Sequence, residues 1–128
     1  MADSSSNRVL AASSRFEVVS ESQTAWLHGT DGMTRWIALF DDEPSAAVID
    51  SDERWCAVAG VGLIVYFLSD PFATYAPHQL SEQWTEVGLG AWRIDSLRQI
   101  APSRLEVLSS GSRRWVTITS DSRLVVSG

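Results

Sequence analysis

The segment Trp55–Leu68 constrains the fold more than any other part of this chain: fourteen residues without a charge, interrupted by Gly60-Val61-Gly62. A membrane-spanning helix needs about 20 apolar residues, so a run of this length reads as buried core. Glycine supplies the positive φ that a tight reversal requires, so Arg54–Ala59 and Leu63–Leu68 are expected to face each other as a hairpin. The second arm, Leu-Ile-Val-Tyr-Phe-Leu, has no polar face. That predicts a central strand covered on both sides.

Elsewhere the chain breaks into short apolar stretches punctuated by Gly, Ser, Asp and Pro. Strands are expected over Arg15–Ser20, Thr24–His28, Arg35–Asp41, Ala46–Asp50, Arg104–Ser109, Arg114–Ser120 and Arg123–Ser127. Regular turn signals between them point to a mainly β fold: an antiparallel meander forming a β-sandwich or partly open barrel of about seven to nine strands. One or two short helices are expected between residues 77 and 101. Leu80, Trp84 and Val87 recur at helical spacing between Pro77 and Gly88, and Ser96 with Gln99 could open a second helix that Pro102 stops. The rival for that second piece is an edge strand through Trp92, Ile94 and Ser96.

Residues 1–14 are Ser-rich and read as a flexible tail ahead of a single β domain over residues 15–128. The tail lacks the basic start and the apolar run of roughly 7–15 residues of a signal peptide. Cys56 is the only cysteine and cannot pair within the chain, so a reducing, cytoplasmic location is expected. Asp52-Glu53-Arg54-Trp55 and Ser112-Arg113-Arg114-Trp115 each lead through a short reversal into an aliphatic strand, a look similar to propeller-blade and meander sequences. The likeness covers two stretches of about fifteen residues without a full repeat period, and reads as ordinary hairpin grammar.

Chemical motifs are sparse. His28 and His78 stand fifty residues apart, with no CxxC, HxH or HExxH spacing to build a zinc site. Asp50-Ser51-Asp52-Glu53 opens like a calcium loop, but Trp55 and Val61 occupy the positions that need glycine and glutamate. Gly60-Val61-Gly62 runs into a strand and lacks the third glycine and helix of a dinucleotide site. All ten basic residues are arginine, so a P-loop or Schiff-base lysine is impossible. No cofactor, metal ligand or catalytic residue is therefore assigned.

Charge is more informative. Residues 1–92 carry four arginines and thirteen acids, whereas residues 93–128 carry six arginines and three acids. Seven of the sixteen acids lie between Asp31 and Glu53, opposed there only by Arg35. Acidity disfavours nucleic acid, whose phosphates need basic neutralisation, and favours a basic protein partner. The expected role is a non-enzymatic protein-binding domain, with a bacterial immunity or antitoxin-type inhibitor of a basic toxin or nuclease as its specific form. Partner-binding residues are expected at Asp31, Asp41, Asp42, Glu43, Asp50, Asp52 and Glu53, with Trp115 as an aromatic anchor. Two other classes fit the composition: a carboxylate- or metal-dependent hydrolase, and a carbohydrate- or small-ligand-binding β module using Trp92 or Trp115.

Overall fold

The computed structural model describes residues 8–77 and 79–128. Twelve strands appear among them: β1 (Arg8–Ala12), β2 (Phe16–Glu21), β3 (Thr24–Gly29), β4 (Thr34–Leu39), β5 (Ala46–Ile49), β6 (Trp55–Gly60), β7 (Gly62–Phe67), β8 (Trp84–Val87), β9 (Ile94–Ala101), β10 (Arg104–Ser109), β11 (Ser112–Ile118) and β12 (Leu124–Ser127). They form three four-stranded antiparallel sheets, each a meander of consecutive strands: β1–β4, β5–β8 and β9–β12. No sheet closes into a barrel. No helix of the described residues is long and apolar enough to cross a membrane.

The hairpin around Gly60-Val61-Gly62 is the centre of this arrangement. Trp55 pairs with Phe67 and Gly60 with Gly62, giving β6 and β7 an unbroken register. Side chains alternate across a strand, so a strand without a polar face must be covered twice. In β6 and β7, Cys56, Val58, Ile64 and Tyr66 turn toward the first sheet and join Phe16, Val18, Leu27 and Ile37 in one core. Trp55, Ala57, Leu63 and Val65 turn the other way and join Ile94, Leu105, Val107 and Val116 in a second core. The middle sheet is therefore the central layer of a three-layer stack. Every residue of β6, and all of β7 except Phe67, is buried.

The first and middle sheets approach at their first strands, and the middle and third sheets at both edges, where β8 also comes near β12. Cα atoms of β1 and β5, and of β5 and β9, come within 8 Å of each other, closer than the roughly 10 Å of sheets packed face to face. Within each sheet the remaining strands follow in sequence order.

Three sequence expectations are corrected. No helix occurs among the described residues between 77 and 101; that stretch contains β8 and β9. The helical spacing of Leu80, Trp84 and Val87 spans a connection and a strand. Leu80 is fully exposed, while Trp84 and Val87 pack into opposite cores. Gly88 has φ 69° and closes a turn against Trp92 rather than a helix. Second, the strand count exceeds seven to nine, because β1, β8 and β9 add to those foreseen. Third, Arg8–Ala12 is a strand paired with β2, inside the stretch that composition assigned to a tail; residues 1–7 and His78 lie outside the described residues.

Polar clamps tie the sheets together at one end of the stack. Glu53, held at φ 57°, accepts hydrogen bonds from the Ser13 hydroxyl, the Arg15 amide at 3.0 Å and the Arg15 guanidinium at 2.8 Å, joining the first and middle sheets. These donors, Ser13 foremost, pull its carboxyl down to about 2 from an ordinary 4.5. A depressed carboxylate contributes stability above its unfolded pKa that disappears as pH falls through the folded value. Acid unfolding should thus draw on Glu53 between pH 4.5 and about 2. Thermal melts across that range should show Glu53→Gln flattening the wild-type decline; parallel profiles would remove Glu53 from the acid response.

Candidate functional site

A meander places successive connections at alternate ends of its sheet, and this separates the acidic residues that the sequence sets side by side. One end carries the β1–β2, β3–β4, β5–β6 and β9–β10 connections. The Thr30 amide donates to the Arg15 carbonyl there, Glu53 binds Arg15, and Arg54 binds the Pro102 carbonyl. Asp31, Asp50, Asp52 and Glu53 belong to this end. Asp41, Asp42 and Glu43 belong to the other, where Gln23 donates to the Asp41 carbonyl at 2.8 Å and the Gly90 amide to the Val61 carbonyl at 3.1 Å. Trp115 lies at neither end; it is half-buried on the outer face of the third sheet, beside Arg104.

At the first end most carboxylates already have structural work. Asp50 is 1% exposed. It accepts from the Arg54 guanidinium at 2.6 Å, the Arg54 amide at 3.1 Å and the Gln99 side chain at 2.8 Å, fastening the middle sheet to the third. Burial alone would raise its pKa, but these donors together hold it below the ordinary carboxylate range. Glu53 is the clamp already described. Asp31 caps its own turn, accepting from the Met33 amide at 3.0 Å. Of these four, Asp52 alone is an exposed acid with no hydrogen bond or ion pair among the described residues.

The opposite end offers a cleft. The Phe40–Ser45 connection crosses from the last strand of the first sheet to the first strand of the middle sheet, and Gly88–Arg93 makes the same crossing to the third. Between them, a cleft of about 360 Å³ is lined by Leu39, Phe40, Val61, Tyr75, Pro77 and Leu89, with Gln23, Asp41 and Gly90 at its rim. Its apolar part is rigid. Phe40 and Tyr75 are buried, the Tyr75 hydroxyl donates to Glu86 at 2.7 Å, and Trp36 meets the Tyr75 ring edge-on at 5.8 Å. A Cβ on Gly90 would come within 3.5 Å of the Asp41 carboxylate, so that carboxylate leans across the mouth.

Asp41, Asp42 and Glu43 are all exposed on this loop; Asp41 lines the cleft, and Glu43 borders a neighbouring hollow that Arg93 shares. The Glu43 amide, and then Arg93, hold the Asp42 carboxyl below its usual range, so it stays charged near neutrality. Among the described residues Arg93 ion-pairs with Asp42 there, at 3.3 Å and exposed to solvent, where an ion pair contributes little. The Arg8 guanidinium donates to the Pro44 carbonyl on the same loop at 3.0 Å. An apolar floor beside the Asp41 carboxylate suits a long cationic side chain: the methylenes lie on the floor and the charge stays at the wet rim.

The remaining candidates resolve differently. Cys56 is fully buried and its thiol is pushed up to about 12, so it packs as a small core residue. Trp92 packs on the second core beneath the Arg114 guanidinium at 4.6 Å, which covers it as a ligand platform. No group of three or more His, Cys, Asp or Glu among the described residues could hold a metal ion. A wider, open trough of about 850 Å³ lies between the β7–β8 connection and the β11–β12 turn, with Trp84, Glu86 and Arg123 in its walls. Its lining carries Glu82, Glu86 and Asp121 against Arg123, without the apolar floor of the smaller cleft.

Sequence reasoning singled out Asp41, Asp42 and Glu43 but could not see the cleft that Asp41 borders. Leu39, Val61, Tyr75 and Leu89 come from four separate segments, and only the fold brings them together. Comparison with protein-family models, with curated proteins and with solved structures found no match.

Proposed function

We propose that this chain is a non-enzymatic protein-binding module whose Asp41-Asp42-Glu43 rim and adjoining cleft take an arginine or lysine side chain of a basic partner. One observation carries the reading: Asp41 stands at the mouth of a cleft of about 360 Å³ with an apolar floor, near the lower bound of ligand-pocket volumes, and Asp42 and Glu43 are exposed on the same loop. Charge of this kind speeds encounter and fixes register, while the apolar floor supplies the desolvated anchor. Engagement of Asp50 and Glu53 in inter-sheet clamps favours binding over carboxylate catalysis. An immunity or antitoxin-type inhibitor covering the basic surface of a toxin is the specific form of this proposal.

Calorimetric titration with a short arginine-rich peptide provides the test. Binding should weaken with added salt, and the combined Asp41→Asn, Asp42→Asn, Glu43→Gln variant should lose about tenfold or more in affinity, roughly 1.4 kcal/mol. An unchanged affinity in that variant would remove the rim from the account.

A further inference from the structure

Both faces of the middle sheet are covered by neighbouring sheets, but the outer faces of the first and third sheets have no covering layer among the described residues. Strand register identifies what they present. On the first sheet Val9 pairs with Val19, Val19 with Trp26, Glu17 with His28 and Glu21 with Thr24. This face carries two glutamates and no arginine, with Val9 58% exposed. On the third sheet Arg98 pairs with Glu106, Glu106 with Trp115, Arg104 with Thr117 and Leu108 with Arg113. Three arginines share that face with one glutamate; Arg98 and Arg113 both reach Glu106, at 2.9 Å and 3.2 Å. Ile100 and Val125 stand out of it, 41% and 54% exposed.

We infer that the basic outer face of the third sheet packs on the acidic outer face of the first sheet of a second copy of this chain. Trp115, Ile100 and Val125 would meet Trp26, Val9 and Val19, with Arg98, Arg104 and Arg113 opposite Glu17 and Glu21. The contact repeats, between copies, the face-to-face packing already made twice within one chain. Apolar side chains interspersed with arginine and tryptophan are the composition of interface anchors.

Geometry also favours closure. A head-to-tail contact forms a ring if its rotation closes and an open fibre if it does not. Each chain supplies three consecutive four-stranded sheets, so two copies supply six, within the range of about four to eight found in closed rings of such sheets. Three copies would exceed that range. One four-stranded face measures about 19 by 20 Å, and a closed pair of chains buries four of them. That is on the order of 1,500 Å², the size of a standard stable interface.

Light scattering coupled to size exclusion should give twice the chain mass of 14.1 kDa for the full-length protein. Two charge reversals separate this contact from any other. Glu17→Arg with Glu21→Arg makes both faces basic, and Arg98→Glu with Arg113→Glu makes both acidic, so each variant alone should run as a folded monomer by circular dichroism. Mixed in equal amounts, they should restore the dimer, which misfolded proteins would not do. A wild type that stays monomeric up to about 0.1 mM, well above the micromolar dissociation expected of such an area, overturns the inference. So does a dimer that survives both reversals, or a mixture that stays monomeric.

Discussion

Leu63→Ala and Ile64→Ala, adjacent positions on one strand, are each expected to cost about 2–5 kcal/mol in equilibrium urea unfolding. In an ordinary half-buried strand one of two neighbours faces water, and its truncation would cost about 0.5 kcal/mol or less. Here Leu63 faces the third sheet and Ile64 the first, and both are fully buried. Each truncation leaves a cavity in a different core, so the two losses should also be nearly additive if the cores relax independently. Native domains have only about 5–15 kcal/mol in hand, so the double variant should sit close to the unfolding threshold. A small effect at either position would mean that one face of β7 is open, and the three-layer stack would fail with it.

Asp50→Ala should have the second large effect, about 2–3 kcal/mol. Breaking a buried pair by removing one partner costs about 3–5 kcal/mol, reduced here because the Arg54 guanidinium is half in water. The loss comes from what is left behind: the Gln99 amide and the Arg54 backbone N–H lose their acceptor between two sheets. The sign with pH follows from the depressed carboxyl. Its contribution is complete above the unfolded carboxylate range and lost as pH falls through the lower folded value. Wild type should therefore lose more stability than Asp50→Ala between pH 7 and acid, and the two unfolding curves should approach each other at low pH. Curves that remain parallel would contradict the clamp.

These two residues also show how far the sequence could be read. The all-apolar arm Leu63–Leu68 announced a strand covered on both sides, and β7 is one, because alternation across a strand leaves no other way to hide six such residues. Asp50 gave no comparable signal. In sequence it is one more acid among seven, and only the packing of the third sheet against the middle one brings Gln99 to it. The misread region fails for a related reason. Three apolar residues at helical spacing fit a helix or a loop followed by a strand, and Trp84 and Val87 are drawn to opposite cores by the middle sheet rather than by any local pattern. The rival edge strand at Ile94 was sound, since β9 pairs only with β10.

The acidic region shows the same limit. Asp41 and Asp50 are nine positions apart, yet β5 carries the chain from one end of the stack to the other between them. A charge count along the sequence cannot see that reversal. What it did register, the excess of arginine after residue 92, has a structural counterpart: the third sheet and its outer face are built from those residues.

The proposed site is tested most directly by mapping amide chemical-shift changes as an arginine-rich peptide is added to isotopically labelled protein. Shifts should gather at Phe40–Glu43, Val61, Leu89 and Gly90, around the cleft and its rim. Shifts gathered instead at Asp50–Glu53, or spread evenly over every exposed carboxylate, would contradict it.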